Sequence, residues 1–151
     1  MKNRLGIAST LCVLAIFLVF TFGGKPVSAD DQIAIIVNPA NTVSGLALAD
    51  LHKIFMGEKS TWPNGKHILL VVGAPGTPER ASFMRGVYKM SETDYTKYFL
   101  QASFTGMVSS PPKEASSSSQ VKEIVAENPG AVGFVKQSEV DGSVKVVFTL
   151  P

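Results

Sequence analysis

The chain has 151 residues, of which 45% are hydrophobic, enough for one folded domain with a modest core. Its 14 basic and 12 acidic residues give a formal net charge of +2. The first 29 residues contain three of the basic residues, Lys2, Arg4 and Lys25, and no acidic residue. Residues 30–151 therefore carry 14 − 3 = 11 basic and 12 acidic residues, a net charge of −1. This balance does not indicate nucleic acid or an anionic membrane surface as a partner.

The first 29 residues have the pattern of a secretory signal peptide. Lys2 and Arg4 begin it, residues 5–22 are almost wholly apolar, and Val27–Ala29 offers small residues before a cut. We expect cleavage after this segment, export to the periplasm, and a single domain over residues 30–151. An uncleaved membrane anchor is the alternative, because the apolar run is nearly long enough to span a bilayer.

Few residues are suited to catalysis or metal binding. Cys12 is the only cysteine and lies in the apolar segment, so cleavage would leave no thiolate or disulfide. The two histidines, His52 and His67, lack acidic partners at metal-ligand spacing, and we expect both at the surface or at a strand edge. No serine lies in a nucleophile elbow. We therefore expect no metal, no cofactor and no enzymatic activity.

The apolar pattern alternates between strand and helix spacing. Strands are expected at residues 33–38, 67–72, 131–135 and 144–149. Helices are expected at residues 48–57, after the N-caps Thr77 and Ser91, and at residues 121–128. Residues 108–120 are rich in proline and serine, which predicts a loop without regular structure. Strands separated by helices predict an α/β fold, a sheet covered by helices.

The segment Gly73–Arg80 joins an expected strand to an expected helix, a place where α/β proteins hold anions. Gly76 would let the backbone approach a ligand, Thr77 would add a hydroxyl, and Arg80 would add a fork of donors. The same residues are also explained by a plain capped helix start, since Pro78 lacks an N–H group and Glu79 repels anions. Both interpretations remain open from the residues alone.

Two longer stretches carry a family resemblance. Residues 45–72, GLALADLHKIFMGEKSTWPNGKHILLVV, and residues 128–135, NPGAVGFV, resemble segments of the phosphate ABC-transporter substrate-binding proteins. The resemblance implies one lobe of a type II periplasmic binding protein-like fold with a mixed β-sheet covered by helices. It implies phosphate or another small oxyanion as ligand, with Gly76, Thr77 and Arg80 in contact and Thr42 and Ser44 as weaker candidates. Replacing Arg80 by Ala is then expected to abolish binding and to leave folding intact.

The sequence departs from this family at the ligand loop. Gly73 and Pro75 stand where the family carries an anion-binding Arg and Asp, and the chain is long enough for only about one of the two lobes. The resemblance also implies ABC-transporter membrane subunits as partners. The alternative is a ligandless interaction module that forms a homodimer or docks on an envelope partner. The aromatic side chains of Tyr88, Tyr95, Tyr98, Phe99 and Phe104 are expected mostly in the core, and in this alternative some of them would lie at the interface.

Overall fold

The structure is a computed structural model that describes residues 32–151. The expected signal peptide, residues 1–29, and Cys12 lie outside the described residues, so cleavage and the domain boundary at residue 30 stay predictions.

The described strands and helices follow the predicted alternation. The strands are Ile33–Val37 (β1), Leu69–Gly73 (β2), Lys113–Ala115 (β3), Ala131–Lys136 (β4) and Lys145–Leu150 (β5). The α-helices are Leu48–Phe55 (α1), Pro78–Phe83 (α2), Glu92–Phe104 (α3) and Ser118–Glu127 (α4). A π-helical turn, Met84–Tyr88, continues α2, and a 3-10 turn, Gln137–Glu139, follows β4.

The five strands form one mixed sheet in the order β3-β2-β4-β1-β5. β2 is parallel to both β3 and β4, whereas β1 is antiparallel to β4 and β5. The predicted mixed α/β sheet is therefore confirmed. The chain runs from β2 to β3 through α2 and α3, and then from β3 past β2 to β4 through α4. The connection after β2 leads toward one edge of the sheet, whereas the connection after β4 leads past β1 to β5, toward the other edge, so the direction reverses between β2 and β4. α/β proteins hold ligands outside the carboxyl ends of strands at such a point.

Two apolar layers hold the sheet between its helices. On β1, Ile33, Ile35 and Val37 face the layer that contains α1, α2 and α3, while Ala34 and Ile36 face the layer beneath α4. All five residues of β1 are buried, because helices cover both faces of the sheet. In the first layer the rings of Phe83 and Phe134 stack with centroids 4.0 Å apart. This packing fixes the end of α2 against β4.

One predicted loop is wrong in part. Residues 108–120 contain β3 and the first turn of α4, so α4 begins three residues before the expected position. Polar composition does not prevent this strand, because β2 supplies its backbone hydrogen-bond partners and Ala115 is buried against the sheet. The helix can begin early because the Ser117 hydroxyl accepts a hydrogen bond from the Gln120 amide, at 3.2 Å.

Trp62 covers the corner between α1 and β2. Its side chain is buried, and its Nε1 donates a hydrogen bond to the Gly130 carbonyl at 2.9 Å. A buried indole that meets its hydrogen-bond requirement in this way adds packing area without an orphaned donor. The ring is therefore part of the core and does not face a ligand.

Candidate functional site

A small cleft opens at the carboxyl ends of β2 and β3, beside the reversal point of the sheet. It holds about 30 Å³, close to the share of one water molecule in the liquid. One wall is formed by Gly73, Ala74, Thr77 and Glu79, the other by Ser116–Ser118, and the floor by Val121 and Phe134. The walls are short polar groups, so the cleft suits a small polar ligand held at its open side.

The loop wall is shaped by Gly76 and Thr77. Gly76 has φ of 84°, in the left-handed region that glycine tolerates best. Thr77 is the N-cap of α2: its hydroxyl accepts from the Arg80 amide at 3.3 Å and donates to the Ala74 carbonyl at 3.1 Å. The predicted capped helix start is therefore present. The hydroxyl of Thr77 still lies at the cleft, where its second lone pair or a reoriented proton can meet a ligand.

The serine wall is the part of the site that the sequence analysis missed. Ser117 caps α4, and the Gln120 side chain accepts hydrogen bonds from the Ser116 amide at 2.6 Å and the Ser116 hydroxyl at 2.9 Å. The first N–H groups of a helix have no partner within the helix, and they carry partial positive charge. The wall therefore offers donors. The signal in the sequence was a serine followed by glutamine three residues later, just before an apolar run.

A carboxylate and an ammonium group lie beside the loop wall. Glu79 Oε1 is 3.1 Å from Lys136 Nζ at the end of β4. Burial alone would raise the pKa of Glu79, but hydrogen bonds from its own backbone amide and from Lys136 outweigh burial and lower the pKa. The carboxylate is thus ionised and is compensated by a cation. The repulsion that Glu79 would exert on an anion is reduced accordingly.

Arg80 does not face the cleft with free donors, contrary to the expectation from the sequence. Its side chain is only 2% exposed, and Nε and Nη2 bind the Glu92 carboxylate at 2.8 and 3.0 Å. Nη1 donates to the Gly73 carbonyl at 2.7 Å and to Glu114 at 3.2 Å. The guanidinium carbon also lies 5.0 Å from the centre of the Tyr95 ring.

This environment revises the role of Arg80. Burial would lower the pKa of Arg80, but the hydrogen bonds and charge of Glu92, with smaller contributions from Tyr95 and Glu114, raise it above its ordinary value. The cation is satisfied by two carboxylates and a carbonyl, so a third anion would add to a cluster that is already net negative. Arg80 positions the loop through the carbonyl of Gly73, and the structure does not offer it as a ligand contact.

Thr42 and Ser44 lie at the opposite end of the strands from the cleft. β1 is antiparallel to β4, with Val37 opposite Val132, so the loop after β1 lies next to the amino ends of β2 and β4. The cleft lies beyond the carboxyl ends of the parallel strands, about 15 Å away, which is the length of one strand. Both side chains are exposed. The structure therefore does not bring Thr42 and Ser44 together with Gly76 and Thr77.

The described residues offer no candidate for a membrane-spanning helix and none for a metal site. None of the helices within residues 32–151 has the length and apolarity that a bilayer crossing requires. Over the same residues, no three histidine, cysteine or acidic side chains gather into a group that could hold a metal ion. His52 is half-buried on α1 and His67 is exposed just before β2.

Comparison with solved structures places this fold among transport proteins. The chain is similar to an ABC-type phosphate transport receptor from Vibrio cholerae, with a TM-score of 0.58 and 27% identity over 77% of this chain and 45% of that one. It is similar to a putative phosphate ABC transporter substrate-binding protein with bound phosphate from Clostridium perfringens, with a TM-score of 0.62 and 24% identity over 77% and 44%. It is also similar to a possible phosphate binding protein from Planctomyces limnophilus, with a TM-score of 0.56 and 19% identity over 77% of this chain and 40% of that one. No family model matches the chain.

The fold is thus that of the phosphate ABC-transporter substrate-binding proteins, and the resemblance seen in the sequence is confirmed. The chain is a short relative that spans less than half the length of each of these solved structures. At identities below a quarter, two of the three comparisons show the fold alone. The role of this chain and its ligand are therefore matters for proposal.

Proposed function

We propose that this protein is an exported solute-binding-like protein that binds a small oxyanion, with phosphate as the first candidate. Export is expected from the signal-peptide pattern of residues 1–29. An ABC-transporter membrane subunit is the partner that such a role implies, and the solved neighbours are described as transport receptors or substrate-binding proteins. Nothing in the role requires catalysis.

The observation that carries the proposal is the cleft at the carboxyl ends of β2 and β3. It lies beside the reversal point of the sheet, between the loop that follows β2 and the N-terminus of α4. Hydroxyl-bearing residues line both walls, the first N–H groups of α4 lie beside the serine wall, and the carboxylate of Glu79 in the lining is paired with Lys136. Hydroxyl groups and a helix N-terminus can attract an oxyanion even where no free cation is available.

The proposed ligand contacts are Gly76 and Thr77 on the loop and Ser116–Ser118 on the other wall. Arg80 acts through the Gly73 carbonyl, as a positioning residue. The cleft has room for about one oxygen of the ion, so the remaining oxygens face solvent. With a few hydrogen bonds to an anion and water on one side, we expect a dissociation constant on the order of 1 mM.

Calorimetric titration of the purified protein with phosphate, and then with sulfate, at low salt tests this proposal. Ser118→Ala removes a hydroxyl from the cleft, and Ser119→Ala is the matched control, because Ser119 is in the same helical turn but does not line the cleft. We expect saturable heat that weakens about fivefold in Ser118→Ala and is unchanged in Ser119→Ala. An absence of heat at tens of millimolar phosphate would contradict the proposal.

A second candidate is favoured by a separate observation, an apolar patch beside α3. Phe104 is 84% exposed, Met107 64% and Leu100 59%, values that large apolar side chains seldom reach together on a monomer. The adjoining groove holds about 570 Å³ and is lined by Pro111, Pro112 and residues of α3. The alternative function is a homodimer formed through this patch.

Solution size distinguishes the two functions. Sedimentation of the protein at micromolar concentration, with and without phosphate, should show a dimer that does not depend on phosphate if the patch is an interface. Phe104→Ser should then give a monomer, whereas Thr93→Ser, on an exposed position of the same helix, should not. A monomer at every concentration would contradict the homodimer.

A further inference from the structure

A second groove lies on the domain face that carries α1, away from the cleft residues. It holds about 580 Å³, within the range of small-molecule sites. We call it the α1 groove. It is formed between one side of α1 and the π-helical turn with the residue that follows it, and its lining consists of Leu48, Ala49, His52, Lys53, Glu58, Gly86, Val87 and Lys89.

The groove combines an apolar floor with a cationic rim. Leu48, Ala49 and Val87 supply aliphatic surface, and the side chain of Leu48 is exposed although it belongs to the apolar stripe of α1. Lys53 and Lys89 are both exposed, and neither has a carboxylate within ion-pair distance among residues 32–151. The rim therefore attracts an anionic group, while the floor favours an aliphatic one.

Lys89 is held in an unusual backbone conformation. It is the one non-glycine residue between positions 32 and 151 with positive φ, at 55°, and it ends the π-helical turn. Glycine or asparagine would adopt this conformation with less strain. Strained residues and π-helical turns both concentrate at functional positions. The strain is consistent with a lysine whose charge has a use at this position, and the groove and its charges carry the inference.

We propose that the α1 groove binds a small amphipathic monocarboxylate. The aliphatic chain lies over Leu48, Ala49 and Val87, and the carboxylate lies between Lys53 and Lys89. The carboxylate of Glu58 also lines the groove, so a ligand with a second anionic group is disfavoured. His52 adds an imidazole donor or acceptor beside the rim. This site is independent of the oxyanion proposed for the cleft.

Octanoate is the probe, and amide chemical shifts of the full protein in two-dimensional NMR are the readout. We expect saturable shifts in Leu48–Lys53 and Gly86–Lys89. Acetate has the charge without the chain, octylammonium has the chain with the opposite charge, and octanedioate has a second carboxylate. All three should bind at least fivefold more weakly than octanoate.

Two variants remove the rim charges without disturbing the backbone. Lys53→Gln keeps a good helix former, and Lys89→Asn keeps a residue that accepts positive φ. Each should weaken octanoate about fivefold, as loss of one exposed ion pair implies. Lys66→Gln, in the exposed turn before β2, is the matched control and should have no effect. Three results would overturn the proposal. Octanoate would fail to bind, it would bind equally well after both lysines are replaced, or octylammonium would bind with the same affinity as octanoate.

Discussion

The guanidinium of Arg80 and the carboxylate of Glu92 form a two-point ion pair, with Nε–Oε1 and Nη2–Oε2 distances of 2.8 and 3.0 Å. The pair joins the first turn of α2 to the first turn of α3. Through Nη1 the same guanidinium also fixes the end of β2 and the side chain of Glu114 on β3. One buried cation thus ties together the elements that build one wall of the cleft.

Substitution of Arg80 should therefore affect stability. Arg80→Ala leaves two carboxylates without their partner and should lower the free energy of unfolding by about 2–3 kcal/mol, below the full cost of a buried pair because Glu92 and Glu114 are 42% and 57% exposed. Arg80→Lys should recover only part of this, because an ammonium cannot make the two-point contact. Urea denaturation provides the measurement.

The control for Arg80 is Arg85→Ala. Arg85 is exposed and contacts only the Ser82 hydroxyl at 3.3 Å, so its loss should change stability by less than about 0.5 kcal/mol. If Arg80→Ala were as stable as the parent protein, the ion-pair network would not anchor the loop. Arg80 would then again be a candidate ligand contact.

Alkaline pH should destabilise the protein through Tyr95. Burial raises the pKa of Tyr95 to about 12, although the charge of Arg80 opposes this. The unfolded chain releases the phenolic proton near pH 10, whereas the folded protein retains it. The stabilisation is present below pH 10 and is lost between pH 10 and 12, at about 1.4 kcal/mol per pH unit. Burial also raises the pKa of Tyr88 well above its usual value, so Tyr88 contributes over the same pH range. Tyr95→Phe should therefore make this part of a stability-versus-pH curve shallower without flattening it, and an unchanged curve would contradict the assignment.

Tyr88 and Tyr98 form a matched pair for a second test. The Tyr88 hydroxyl is buried and makes no hydrogen bond of ordinary geometry among the described residues, although burial and the neighbouring Tyr95 hydroxyl raise its pKa. The Tyr98 hydroxyl, in contrast, donates to the Met56 carbonyl at 2.8 Å. Tyr88→Phe should thus be neutral or slightly stabilising at pH 7, and Tyr98→Phe should cost about 1 kcal/mol. The reverse order in thermal or urea unfolding would show that the Tyr88 hydroxyl has a structural partner.

Gly130 and Gly76 should differ sharply in their tolerance of alanine. A Cβ at Gly130 would lie 2.1 Å from the His67 carbonyl oxygen, so Gly130→Ala must push apart the starts of β2 and β4. At Gly76 a Cβ meets nothing within 4 Å, and the cost comes only from the positive φ, about 1–2 kcal/mol. We expect Gly130→Ala to be the more destabilising by at least about 2 kcal/mol. Equal losses in urea unfolding would contradict this.

The sequence predicted the fold well where apolar periodicity dominates. β1 is buried on both faces and reads as a continuous β-branched run, and α1 shows its stripe through Leu51, Ile54 and Phe55. β3 escaped prediction because its polar residues form a strand only through pairing with β2, a contact that local sequence does not encode. For the same reason the serines beside β3 were interpreted as a solvated linker.

The candidate site was predicted only in part. Gly76 and Thr77 do line or shape one wall of the cleft, because turn and capping chemistry is local. Arg80 was assigned to a ligand because the sequence does not show that Glu92 and Glu114 approach it from 12 and 34 residues away. Thr42 and Ser44 were grouped with the loop because the sequence does not show that β1 runs antiparallel to β4. That direction, which only the sheet topology fixes, puts the two residues at the opposite end of the strands from the cleft.

The most direct test of the central claim is a phosphate titration followed through backbone amide shifts of the full protein at low salt. The account predicts saturable shifts in Gly73–Thr77 and Ser116–Gln120, with none in Thr42–Ser44. Sulfate run in parallel reports whether the cleft takes oxyanions in general. Absent shifts at tens of millimolar phosphate, or shifts confined to Thr42–Ser44, would contradict an oxyanion site at the carboxyl ends of β2 and β3.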